Sequence, residues 1–157
     1  MSGQINVKEK TNSFIRSLDY AGMTKLDRIL LVDDSRADNF LHKTILTKAQ
    51  ICEQVDIAMG GQEALDYLST PVNGVYPQPQ IIFLDINMPG MNGWEFLEHY
   101  EQLPPEQKGE QIVVMLTTSL NPDDRQRAEQ IESISYFENK PLLEQKIHSI
   151  VAQFFGA

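Results

Sequence analysis

The chain of 157 residues has a single cysteine, Cys52, so no intramolecular disulfide can form and a reducing compartment is expected. Cys52 reads as a small apolar core side chain rather than a reactive thiol. No apolar run approaches the roughly 20 residues that span a bilayer. The N-terminus lacks the apolar stretch of a secretory signal, so a cytoplasmic protein without membrane contact is expected. Positive charge is also short: 13 Lys and Arg stand against 22 Asp and Glu, a formal net charge of -9. That balance repels nucleic-acid phosphates and argues against direct nucleic-acid binding. The three histidines, His42, His99 and His148, are far apart without metal-ligand spacing, and read as surface or partly buried side chains. No internal repeat and no low-complexity stretch is visible.

What is present suits one soluble domain. Hydrophobic content is 41% and charged content 22%, and the length suffices for a core without staples. Residues 1–25 read as an N-terminal extension, either a loose arm or a short helix on Phe14, Ile15, Leu18 and Ala21. Residues 26–157 alternate strand and helix. Strands are expected over 28–32, 54–58, 81–84, 112–116 and 134–137. The helix after the first strand should turn Phe40, Leu41, Thr44, Ile45 and Ala49 inward. Asn121-Pro122-Asp123-Asp124 reads as a helix start, with a cap, a proline and two acids. The last helix should face Leu143, Ile147, Ile150, Val151 and Phe154 inward. Five strand–helix units imply an α/β fold: a doubly wound, five-stranded parallel sheet with helices on both faces.

The strand ends carry the chemistry, because in such a sheet they open onto one crevice. Ile29-Leu30-Leu31-Val32 runs into Asp33-Asp34. Adjacent carboxylates repel, and a hard divalent cation relieves that; an acidic helix N-terminus explains the pair equally well. Ile81-Ile82-Phe83-Leu84 runs into Asp85, a carboxylate able to attack an activated phosphoryl group. A loop rich in turn formers follows it, from Ile86 to Gly93. The fourth run ends in Thr117; strand alternation lets only one of Thr117 and Thr118 point into the crevice. Lys140 precedes Pro141, and its ammonium can pair with Asp85 or with phosphate. A cis bond before the proline would aim the lysine toward the crevice.

These segments resemble the response-regulator receiver domain of bacterial two-component signalling. The resemblance rests on Ile29-Leu30-Leu31-Val32-Asp33-Asp34-Ser35, Gly61-Gln62-Glu63-Ala64-Leu65, the stretch from Asp85 to Glu95, Leu116-Thr117-Thr118 and Lys140-Pro141. It implies the flavodoxin-like strand order 2-1-3-4-5. It implies Asp85 as phosphoacceptor, with Mg²⁺ (Mn²⁺ as a substitute) on Asp33, Asp34, Asp85 and the Asn87 carbonyl. Thr117 would be the switch hydroxyl, Lys140 the phosphate-contacting lysine and Phe137 the switch aromatic. Asn87, Thr118 and Ser119 would modulate the reaction. The implied partners are a sensor histidine kinase or histidine phosphotransfer domain and an effector protein, with a monomer or a phosphorylation-linked dimer.

Two positions depart from the family's frequent pattern: Phe137 stands for tyrosine, with Tyr136 before it, and Thr118 for alanine. The sequence ends at Ala157 just after the fifth helix, so no output domain is expected and the signal would leave by protein contact. On this reading the protein is no enzyme, although it promotes its own phosphorylation and dephosphorylation. One rival is a haloacid-dehalogenase-type phosphatase, which needs a second aspartate two positions after the nucleophile; Asn87 stands there. Another is a receiver-like binding module that is never phosphorylated, against which the full set of site residues argues.

Overall fold

The computed structural model describes residues 17–18, 24–108 and 111–156. The elements in chain order are β1 (Ser17–Leu18), β2 (Thr24–Val32), α1 (Arg36–Lys48), β3 (Cys52–Ala58), α2 (Gly61–Leu68), β4 (Ile81–Leu84), α3 (Gly93–Glu101), α4 (Pro105–Lys108), β5 (Ile112–Thr117), α5 (Pro122–Glu129), β6 (Ile134–Asn139) and α6 (Glu144–Phe155). Five strands run parallel in the order β3-β2-β4-β5-β6, which is the expected 2-1-3-4-5. The register places Ile29 beside Ile81 and Ile81 beside Ile112. The two residues of β1 add an antiparallel pairing, Ser17 to Lys25 and Leu18 to Thr24. Leu18 is thus strand rather than helix; Phe14, Ile15 and Ala21 lie outside the described residues.

The central strands are apolar on both sides because both sides are covered. All four residues of β4 and all six of β5 are buried. Side chains alternate along a strand, so the core divides in two. Leu30, Val32, Ile82, Leu84, Val113 and Met115 meet α2, α3 and α5 through Ala64, Leu68, Phe96, Leu97 and Ala128. Ile29, Leu31, Ile81, Phe83, Val114 and Leu116 meet α1 and α6 through Leu46, Ile147, Ile150, Val151 and Phe155. Each such Val, Leu, Ile, Met or Phe side chain stabilises the fold by about 1.5–3 kcal/mol on burial.

Two helices turn differently from expectation. On α1 the buried residues are Asn39, His42 and Leu46, while Phe40 is 73% and Leu41 44% exposed. Polar Asn39 and His42 are each held by a bond: Asn39 Nδ2 donates to the Asp33 carbonyl at 2.8 Å, although Asn39 Oδ1 has no partner among the described residues, and His42 Nε2 accepts from Leu142 N at 3.3 Å. Of the expected face, Ile45 and Ala49 do pack against the core. His42 is accordingly more deeply buried than expected, whereas His99 is exposed and His148 half-buried. On α6 the buried set is Ile147, Ile150, Val151 and Phe155, and Phe154 packs half-buried against the same layer as expected; Leu143 precedes the helix and stays exposed. The expected start of α5 holds, with Asn121 accepting from Asp123 N at 3.0 Å and a proline in the first turn. No described helix is long and apolar enough to cross a membrane.

Candidate phosphoryl and metal site at the strand ends

Asp33 follows directly on β2. Its backbone N donates to Ala58 O of β3, and its side chain accepts from Ser35 N at 2.9 Å. Ser35 in turn caps α1 by accepting from Asp38 N at 3.1 Å. The first turn of α1 therefore begins at the acid pair, with Asp33 buried and Asp34 exposed. Asp85 follows on β4, and its backbone N donates to Val32 O at 3.0 Å. The loop after it returns sharply, with Gly93 N donating to Ile86 O at 2.7 Å. Gly93 is required there: a Cβ would lie 2.5 Å from the Asp85 carbonyl oxygen. The capping box of Asn92 and Glu95 then starts α3.

Three carboxylates converge. Asp33, Asp34 and Asp85 each offer an oxygen within 4.8 Å of the others. Lys140 reaches the same pocket from β6, its Nζ 2.6 Å from Asp33, 2.8 Å from Asp38 and 3.3 Å from Asp85. The Lys140-Pro141 bond is cis. Burial alone would lower the Lys140 pKa, but bonds to Asp33 and Asp38 outweigh it and raise it, so the ammonium stays charged. Burial, then the Asp33 charge, pushes the Asp85 carboxyl up to about 6, against the pull of Lys140. One lysine thus faces an excess of carboxylates. An all-oxygen, partly open cluster of this kind suits a hard divalent cation, and Mg²⁺ fits the donor set.

Thr117 ends β5 fully buried and Thr118 turns outward, as strand alternation requires. The Thr117 hydroxyl accepts from Ser119 N at 3.0 Å. Its carbonyl accepts from Lys140 N at 2.8 Å, which joins the ends of β5 and β6. Ser119 donates its hydroxyl to Asp124 at 2.5 Å. Phe137 points inward at 4% exposure, with the Arg125 guanidinium 5.3 Å from its ring centre. Tyr136 faces the other layer, edge-on to Phe154. Asn87 lies exposed on the loop after Asp85.

The fold thus brings Asp33, Asp34, Asp85 and Lys140 together at one pocket, with Thr117 at the adjoining strand end and Asn87 on the adjoining loop. Phe137 stands apart, inside the core. Sequence reasoning missed Asp38, although its helical position one turn beyond Asp34 is the signal that finds it. It also missed Asn39, His42 and Asn139, whose bonds to distant backbone have no local signature.

Comparison with known proteins agrees with this architecture. A family model described as the response regulator receiver domain matches residues 29–152. The response regulator Rcp1 of Synechocystis sp. is 38% identical over 99 residues, covering 61% of this chain and 65% of that protein. A probable methanogenesis regulatory protein of Methanothrix harundinacea is 32% identical, with 64% and 63% covered. The chain therefore spans just under two thirds of the length of these relatives. The crystal structure of a two-component response regulator from Cytophaga hutchinsonii superposes with a TM-score of 0.73 at 34% identity, covering 83% of this chain and 97% of that one. On its residues, its strand order and these matches, the chain belongs to the response-regulator receiver domain family.

Proposed function

We propose that the domain accepts a phosphoryl group on Asp85 and carries it as the signal of a two-component system or phosphorelay. The observation that carries this reading is the placement of a buried Asp85 within 4.8 Å of two further carboxylates and 3.3 Å from Lys140. A phosphohistidine of a sensor kinase or phosphotransfer domain is the donor. An Asp85 carboxylate oxygen forms the new P–O bond as the P–N bond breaks. The electron pair of that bond stays on the imidazole, which takes up a proton. Hydrolysis by water later returns inorganic phosphate and the free carboxylate.

Such a transfer needs positioning and charge neutralisation more than covalent help. Asp33, Asp34, Asp85 and the Asn87 carbonyl would hold Mg²⁺, which supplies neutralisation when bound. Lys140 moves its ammonium from carboxylate partners to a phosphoryl oxygen. Thr117 donates its hydroxyl to another. Output is a change of protein contacts over about residues 119–145, read by an effector protein. The domain is a signal carrier rather than an enzyme with turnover, and works in the cytoplasm. Incubation with radiolabelled acetyl phosphate and Mg²⁺ tests this: wild type should take up label, and Asp85→Asn should not. Equal labelling of the two would refute the assignment.

A further inference from the structure

The loop after β5 is fastened by a side chain that the proposed chemistry does not use. Asn139 is the last residue of β6. Its Nδ2 donates to the Ser119 carbonyl at 2.8 Å and to the Thr117 carbonyl at 3.3 Å. Lys140 N holds the same Thr117 carbonyl at 2.8 Å. Within the loop, Ser119 N donates to the Thr117 hydroxyl. On the far side, the Ser119 hydroxyl donates to Asp124 and accepts from Asn121 N at 3.2 Å, tying the loop to the first turn of α5.

These ties differ in what motion they permit. The Lys140–Thr117 bond is a strand bond and survives small shifts of the loop. The Asn139–Ser119 bond spans from the strand end to the loop itself. The bond is present in the arrangement seen here, and any movement of residues 117–119 that takes the Ser119 carbonyl off Nδ2 must break it.

We infer that Asn139 is a positioning residue, a latch that holds the Thr117–Ser119 loop in its resting arrangement and so sets how readily the site closes on a phosphoryl group. The inference rests on Asp85 being the phosphoacceptor. A bond between neutral groups of this kind shifts such an equilibrium by about fivefold. Among the described residues the Asn139 amide bonds only the Thr117 and Ser119 carbonyls and not Asp33, Asp34 or Asp85, so its loss leaves the cation ligands in place.

The test uses the full chain with Mg²⁺ and beryllofluoride, an analogue of the phosphoryl group, followed by ¹⁹F NMR. Asn139→Ala removes the amide. Asn139→Asp keeps its shape but replaces the donor with a carboxylate that repels both carbonyls. Both variants should bind beryllofluoride about fivefold more tightly than wild type, with unchanged Mg²⁺ affinity. Unchanged or weaker beryllofluoride binding overturns the latch. So does a parallel loss of Mg²⁺ and beryllofluoride affinity, which marks a merely structural residue. A wild type that takes up neither beryllofluoride nor acetyl phosphate sinks the Asp85 reading and the latch with it. A competent wild type with indifferent variants sinks the latch alone.

Discussion

Replacing Asp85 with asparagine should stabilise the metal-free protein at pH 8. The carboxyl is pushed from 3.8 up to about 6, first by burial and then by Asp33. At about 1.36 kcal/mol per pH unit, the ionised side chain opposes folding by at most about 3 kcal/mol. The sign follows from proton counting. The folded carboxyl holds its proton more tightly than the unfolded one, so between about pH 4 and 6 the folded state binds more protons. Stability therefore falls as pH rises through that window. The penalty is complete above about pH 6 and absent below about pH 4, where both states are protonated. Asparagine has the same shape and no charge, and Lys140 keeps Asp33 at 2.6 Å and Asp38 at 2.8 Å. Urea unfolding of both proteins in chelator should show the variant more stable by about 1–3 kcal/mol at pH 8, with the difference shrinking toward pH 4. Mg²⁺ at a hundred times its dissociation constant should then raise wild-type stability by about 2.7 kcal/mol and the variant by less. A variant no more stable than wild type at pH 8, or a difference independent of pH, would refute the reasoning.

Gly93→Ala places a methyl group 2.5 Å from the Asp85 carbonyl and 3.0 Å from Ile86 Cα, so helix and strand must part; the expected loss is about 1–3 kcal/mol in denaturant unfolding with slower acetyl phosphate labelling, and wild-type values in both would sink it. Gly60→Ala is the control, because nothing lies within 4 Å of its added Cβ, and it should change stability by less than about 1 kcal/mol. The Cys52 thiol is buried and its pKa is pushed up to about 12, so a disulfide reagent at pH 8 should modify it only at the rate of unfolding; rapid modification of the native protein contradicts this. Thr118 is exposed beside Thr117, where it can hinder water approaching the phosphoryl group. Thr118→Ala should therefore speed autodephosphorylation, and equal decay of the two labelled proteins disproves that role.

How much was legible in the chain differs by element. The sheet was legible because β4 and β5 are covered on both faces, and continuous apolar runs such as Ile81 to Leu84 record that directly. The inward face of α1 was not. Asn39 and His42 are polar yet buried, and their partners, the Asp33 carbonyl and Leu142 N, are neighbours only in the folded chain. Hydrophobic spacing therefore chose Phe40 and Leu41 for a face that those two leave exposed. At the site, Asp33, Asp34, Asp85 and Lys140 were legible as strand-end residues, because topology gathers strand ends whatever the loops do. Asp38 needed one more step, the turn of a helix. Asn139 gave no sign beyond its place beside Lys140, because an amide that serves backbone carbonyls has no preferred sequence context.

Lastly, β4 is four residues long and buried throughout, clamped between β2 and β5 with a separate apolar layer above and below it. A carboxylate mounted on such an element behaves like an anvil. Nothing bound to Asp85 can be accommodated by retreat of the strand, since both layers would have to yield at once. The compliance must sit at the rim, in the short stretch after Thr117 and around Lys140. A load placed on Asp85 is thus resisted by the sheet beneath it and yields first at that rim.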